Sequence, residues 1–148
     1  MARKEEFYYD STSKITKIHA VRYIPDGEIK AILQIAHGMV EYIERYEAFA
    51  LFLCSKGFLV TGNDHLGHGQ SVNSKEEWGY FAKEDGNRAV LCDVYQLTKI
   101  LYENTSELEQ LHSSMSSMKK EGFMYTNLPV PLHTGSKKYY QEKRLLSK

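Results

Sequence analysis

Two short apolar runs, each ending in a corner rich in glycine and histidine and separated by one amphipathic stretch, constrain this chain most. Ala31-Ile32-Leu33-Gln34-Ile35-Ala36 is nearly all apolar, as expected of a strand buried on both faces. It runs into His37-Gly38-Met39-Val40-Glu41. Beyond that corner Tyr46, Phe49, Ala50 and Leu53 fall at i, i+3, i+4 and i+7, one apolar stripe on a helix. Glu41 and Glu44 stand near its start, where negative charge suits the helix dipole. Lys56 is in its last turn, and Gly57 suits the residue just past it. Phe58-Leu59-Val60-Thr61 is the next run, and it leads to Asn63-Asp64-His65-Leu66-Gly67-His68-Gly69-Gln70-Ser71. A strand–helix–strand unit is a crossover connection, so the two strands are expected to be parallel.

The flanks extend this unit. Phe7-Tyr8-Tyr9 and Ile18 to Ile24 read as two strands, the second ended by a Pro25-Asp26-Gly27 turn; together they predict an antiparallel hairpin at a sheet edge. Residues 72–84 read as a loop holding Trp78-Gly79-Tyr80-Phe81, and Asp85 to Glu103 as a helix with Val90, Val94, Leu97 and Leu101 on its buried side. After Thr105 the pattern weakens. Leu108, Leu111, Met115 and Met118 would continue a helical stripe, against four serines at 113, 114, 116 and 117. Leu128-Pro129-Val130 is expected to start a third parallel strand, which Pro131 interrupts. His133 to Lys148 is polar and basic without a clear period. The expected fold class is α/β, with an N-terminal unit over 1–104 and a divergent tail over 105–148 that keeps a remnant strand near 128–130. About five strands, two antiparallel and three parallel, would leave the last parallel strand as an open edge that favours self-association.

Charge narrows the function. Lys+Arg and Asp+Glu are both 19, which argues against a chain that holds nucleic acid by neutralising phosphates and leaves little repulsion to oppose self-association. The apolar runs are far short of a membrane span. Met1 to Glu6 leads into no apolar signal segment, so a cytoplasmic protein is expected. Cys54 and Cys92 fall in the two predicted helices and read as free thiols, too few and too far apart for a zinc site.

Both corners leave the ends of strands, the edge at which ligands bind in open α/β sheets. Gly38 permits close approach of a ligand, and a free amide after it would stabilise an oxyanion. A plain strand-to-helix turn, with His37 as a hydrogen-bonding residue, is the alternative. Asp64, His65 and His68 are ligand types for zinc, but no third imidazole or thiolate stands nearby in sequence. The other reading is that they tie the loop down. Ser71 lacks the second glycine of a nucleophile elbow. No cofactor or metal is expected.

Taken together, His37-Gly38-Met39-x-Glu41, Arg45-Tyr46 and Asp64-His65-x-Gly67-His68-Gly69-x-Ser71 resemble the α/β-hydrolase group of lysophospholipases and monoacylglycerol lipases, close to serine-aminopeptidase-type hydrolases. Gly79-Tyr80-Phe81 and Asp93-Val94 are similar to later positions of that family. The resemblance covers about residues 7–104. It implies the N-terminal part of an α/β-hydrolase sheet and a serine that attacks an ester carbonyl, with a histidine base and an aspartate to orient it. It also implies an oxyanion hole half supplied by the Met39 amide, with His37 and Gly38 in the same loop. The substrate implied is a small lipid ester, a lysophospholipid or monoacylglycerol. Glu41, Asp64, His65, Gly67, His68, Gly69 and Ser71 are then expected to build the site floor.

The tail departs from that pattern. No G-x-S-x-G occurs in the 148 residues. Where the family carries a Gly-His-Ser-Met-Gly elbow, this chain reads Pro131-Leu132-His133-Thr134-Gly135-Ser136, with Thr134 at the nucleophile's place and one residue missing before Gly135. A β-branched residue suits that strained turn poorly. His19, His112 and His133 are left as bases, none at a family position, and solvated exposed histidines are the expectation. Two readings follow: an ester hydrolase portion truncated before its nucleophile, acid and histidine and inactive alone, or a non-catalytic binding or interaction module on the same fold.

Overall fold

The computed structural model describes residues 2–104, 106, 110, 125, 126, 128 and 131–147. The N-terminal hairpin forms as its residues predict. β1 (Arg3–Asp10) pairs antiparallel with β2 (Lys17–Ile24), from Arg3 opposite Ile24 to Asp10 opposite Lys17. β1 begins four residues before the aromatic Phe7-Tyr8-Tyr9 run, because its charged start is held across the ladder: Arg22 forms an ion pair with Glu5, the residue directly opposite it.

β3 (Ala31–Ala36) and β4 (Phe58–Asn63) are parallel in full register, and β4 also pairs antiparallel with β2, giving the sheet order β1-β2-β4-β3. Alternation along the strands sorts side chains to two faces. Leu59 and Ile24 pack with Ile29, Leu97 and Leu101 on one side. Val60, Val21, Tyr23 and Ile35 pack with Ile43, Ala50 and Cys54 on the other. The helix α1 (Glu47–Cys54) therefore covers one face and α2 (Gly86–Glu103) the opposite one.

Three expectations change. β3 is not buried on both faces: Ile35 is buried and its other five residues are half-buried, because among the described residues β3 is an edge strand. The first helix opens with a 3₁₀ turn, Ile43–Tyr46, which rotates the buried stripe. Ile43, Ala50 and Cys54 face the sheet, whereas Phe49 is 49% exposed. In α2, Val94, Leu97 and Leu101 are buried as expected, and Val90 is half-buried.

The tail, read as lacking a period, contains α3 (Thr134–Glu142), which buries Gly135, Ser136, Tyr139 and Tyr140. These lie at i, i+1, i+4 and i+5, a helical face disguised by two small residues that an apolar count passes over. Tyr139 and Tyr140 pack with Tyr125, Tyr95 and Tyr102 in a cluster between α3 and α2. The expected strand at 128–130 is not described: Leu128 takes no strand conformation, and Pro129 and Val130 lie outside the described residues. Leu108, Leu111, His112, Met115 and Met118 lie outside them too. Among the described residues no helix is long and apolar enough to cross a membrane.

Candidate functional site

Parallel register places Ala36 opposite Asn63, so the chains leaving β3 and β4 turn out of the sheet side by side. Asp64 organises both turns. It is 1% exposed, and its carboxylate accepts the Ile43 N–H at 2.7 Å, the Gln70 N–H at 2.9 Å and His19 Nδ1–H at 2.8 Å. Burial works to raise its pKa. The hydrogen bonds from His19, Gln70 and Ile43 outweigh that and hold it below the usual carboxylate value. One side chain thus joins β2, the turn after β3 and the turn after β4.

The glycines of the second corner are there for space. Gly69 has φ +48°, and a Cβ on it would stand 2.2 Å from Asp64 Oδ2. Gly67 has φ +77°, and a Cβ there would meet the Tyr80 carbonyl oxygen at 2.3 Å. Ser71 is fully buried; its hydroxyl donates to the Asp64 carbonyl and accepts the His19 N–H, both at 2.9 Å. That hydroxyl is committed in both directions.

Three imidazoles clamp the first corner to the second. The His65 N–H donates to His37 Nε2 at 2.9 Å, and His65 Nε2–H donates to the His37 carbonyl at 3.0 Å. His37 Nδ1–H donates to the Gly38 carbonyl at 2.8 Å. His68 Nε2–H donates to the Met39 carbonyl, while its Nδ1 faces the Leu66 carbonyl at 3.1 Å and its ring stacks on Phe81. Burial lowers the pKa of His37, and burial together with the neighbouring His37 brings that of His65 down to about 4. Both rings are neutral near pH 7, which matches a His37 Nε2 that accepts.

Gly38 N–H donates to Glu41 Oε2 at 2.9 Å, and the Tyr46 hydroxyl donates to the same oxygen. The Tyr46 hydroxyl and the Gly38 amide hold the Glu41 carboxyl below its ordinary value. The Met39 carbonyl is anchored by His68, its amide, like that of Val40, has no acceptor among the described residues, and the residue is 76% exposed. An N–H fixed by its surroundings and left unspent is a donor ready for a developing negative charge.

The elbow segment lies near this corner. His133 sits close enough to His65 to disfavour its protonation, and its Nδ1 accepts the Gly135 N–H at 3.1 Å as the cap of α3. Thr134 is exposed and opens the helix without left-handed backbone. Ser136 is buried against Thr98, their hydroxyl oxygens 2.8 Å apart. His19 corrects the expectation of a solvated imidazole: it is fully buried. Its signal was its place between Ile18 and Ala20 in β2, and its bond to Asp64 spans 45 residues of sequence. His133 is half-buried rather than exposed. Among the described residues no group of three or more His, Cys, Asp or Glu is placed to hold a metal ion.

The family described as serine aminopeptidase, S33, matches residues 27–117, and an NMT1-like family matches residues 92–143. Human monoglyceride lipase is 29% identical over 86 residues, which are 58% of this chain and 24% of that protein. Protein K6 of vaccinia virus is 38% identical over 58 residues, 39% of this chain and 72% of that protein. The chain thus spans about a quarter of the length of the mammalian relative. A thermostable carboxyl esterase from Bacillus coagulans, solved with glycerol, is 29% identical with a TM-score of 0.62, covering 70% of this chain and 33% of the esterase. A lipase in an open form is also 29% identical, with a TM-score of 0.60, covering 67% of this chain and 32% of the lipase.

Proposed function

The chain belongs to the serine aminopeptidase, S33, family, and we propose that it carries the oxyanion-loop half of a serine carboxylester hydrolase acting on lysophospholipid or monoacylglycerol esters. The observation that carries this reading is the Met39 amide, uncommitted on a turn that His37, His65 and His68 hold rigid. In acyl transfer the carbonyl oxygen gains negative charge as the nucleophile adds, and a donor that need not reorganise stabilises it. One such donor is typically worth ~10²–10³ in rate. The names of the lipase and esterase relatives support an ester as substrate.

In this reading Glu41, Asp64, His65, Gly67, His68, Gly69 and Ser71 position the amide and take no part in bond making. The 148 residues do not complete the reaction alone. They contain no G-x-S-x-G, the Ser71 hydroxyl is spent, and His133 Nδ1 is taken by the Gly135 N–H. A second reading, a binding module that uses the same corners without turnover, is favoured by the edge of β3, unpaired among the described residues.

Two measurements test this. Purified protein is expected to hydrolyse a chromogenic short-chain ester at background rate and to take no fluorophosphonate label; turnover lost in Thr134→Ala would overturn the inactive reading. A medium-chain fatty-acid carboxylate, offered as a product mimic in an amide NMR titration, is expected to shift Met39 and Val40 first. Shifts confined to residues away from the two corners would remove the oxyanion reading.

A further inference from the structure

Around the same corners the protein exposes large apolar side chains. Val40 is 88% exposed, Met39 76%, Trp78 59% and Tyr80 48%. They form one rim. Met39 is tied to His68, whose ring stacks on Phe81 at 5.4 Å. Trp78 Nε1–H donates to the Gly69 carbonyl at 3.2 Å, and Gly79 N–H donates to the Gly67 carbonyl at 2.8 Å. The loop of Trp78 and Tyr80 is thereby pinned against the corner that holds Met39. With its N–H already satisfied, the outward indole face has no polar need of its own.

Protruding tips suit a fluid surface, which closes around them, better than a rigid partner, which would need a matching hollow. Exposed Trp and Tyr beside aliphatic tips are the side chains that settle at a membrane–water boundary. The charge on this rim chooses among lipid surfaces. Residues 75–85 carry Lys75 and Lys83 against Glu76, Glu77, Glu84 and Asp85, so an anionic surface would repel the loop. We propose that the Met39, Val40, Trp78 and Tyr80 rim docks on a zwitterionic or uncharged lipid surface by inserting its apolar tips. The proposal goes beyond ester hydrolysis, since docking needs no turnover.

Trp78 is the single tryptophan of the chain and serves as its own reporter. Its emission is expected to shift to the blue and saturate on titration with vesicles of diether phosphatidylcholine, which carry no ester to hydrolyse. The shift should persist in high salt, and lipids brominated near the headgroup should quench it. A Met39→Ser, Val40→Ser double variant is expected to bind at least about tenfold more weakly, because the transfer free energy of two apolar side chains is lost. Its urea midpoint should not change. Three results would overturn the proposal: emission unchanged at saturating vesicles, a shift seen only with phosphatidylglycerol and abolished by salt, or a lipid-independent shift that grows with protein concentration, which would give the rim to a second copy. Brominated-lipid quenching of the unmodified protein decides the matter whatever the variant does.

Discussion

His37 and His65 are joined twice, by the His65 N–H on His37 Nε2 at 2.9 Å and by His65 Nε2–H on the His37 carbonyl at 3.0 Å. The first bond exists only while His37 Nε2 is unprotonated. His65 has its pKa brought down to about 4 by burial and by His37, and burial lowers that of His37 as well. The unfolded chain therefore binds these protons first, at the ordinary value of 6.5. Stability is complete above that value and is lost as pH falls from 6.5 toward 4. For His65 the loss is on the order of 3 kcal/mol at the acid end. Asp64, held low, loses its contribution further down; Asp93, raised by burial, works in the opposite direction. Urea midpoints should fall between pH 6.5 and 5, above the range where most carboxylates titrate, and fall less in His65→Asn. A midpoint flat across that interval would contradict the neutral pair.

Gly69→Ala and Gly79→Ala separate backbone strain from contact. Both glycines have positive φ, +48° and +84°, but a Cβ on Gly79 meets nothing within 4 Å whereas one on Gly69 meets the Asp64 carboxylate. Gly79→Ala should cost roughly 1–2 kcal/mol from the left-handed backbone alone. Gly69→Ala should cost more and also disturb Ile43 and Gln70, whose amides Asp64 holds. Chemical denaturation compares the two, and equal costs would mean that Asp64 yields freely.

Cys54 and Cys92 are both free thiols. Cys54 is buried, donates to the Tyr23 carbonyl at 3.4 Å and has its pKa raised by burial. Cys92 is half-buried beside a groove shared with Lys83 and Arg88. Alkylation of the native protein, followed by peptide mass spectrometry, should mark Cys92 first and Cys54 only on unfolding. Equal rates would show that α1 does not stay packed on the sheet.

The outer edge of β3 is unpaired among the described residues, and an apolar groove of about 330 Å³ lies along it, lined by Ile32, Leu33, Phe49 and Leu132. Edges of this kind associate. Light scattering is expected to show mass rising with concentration, and a charge on the strand, Leu33→Lys, should reduce it. A monomer at all concentrations would count against association through this edge.

Much of this arrangement was legible before any coordinates. The hairpin, the parallel pair and α2 follow from periodicity and from turns at Pro25-Asp26-Gly27 and Gly57. The corners were legible as turns because glycine-rich segments follow the two apolar runs directly. The phase of α1 was not: Phe49 and Ile43 compete for the same sheet, and the 3₁₀ turn settles it for Ile43. The helical face of α3 was hidden because Gly135 and Ser136 are buried for their smallness rather than their hydrophobicity.

Local pattern told which residues share a face and where the chain turns, since both depend on neighbours a few positions apart. The folded arrangement alone told that His19 reaches Asp64, that Ser71 is spent, that three histidines converge on one turn and that the Met39 amide is left over. Those facts depend on hydrogen bonds between residues tens of positions apart, whose partners are chosen only when the sheet brings β2, β3 and β4 together.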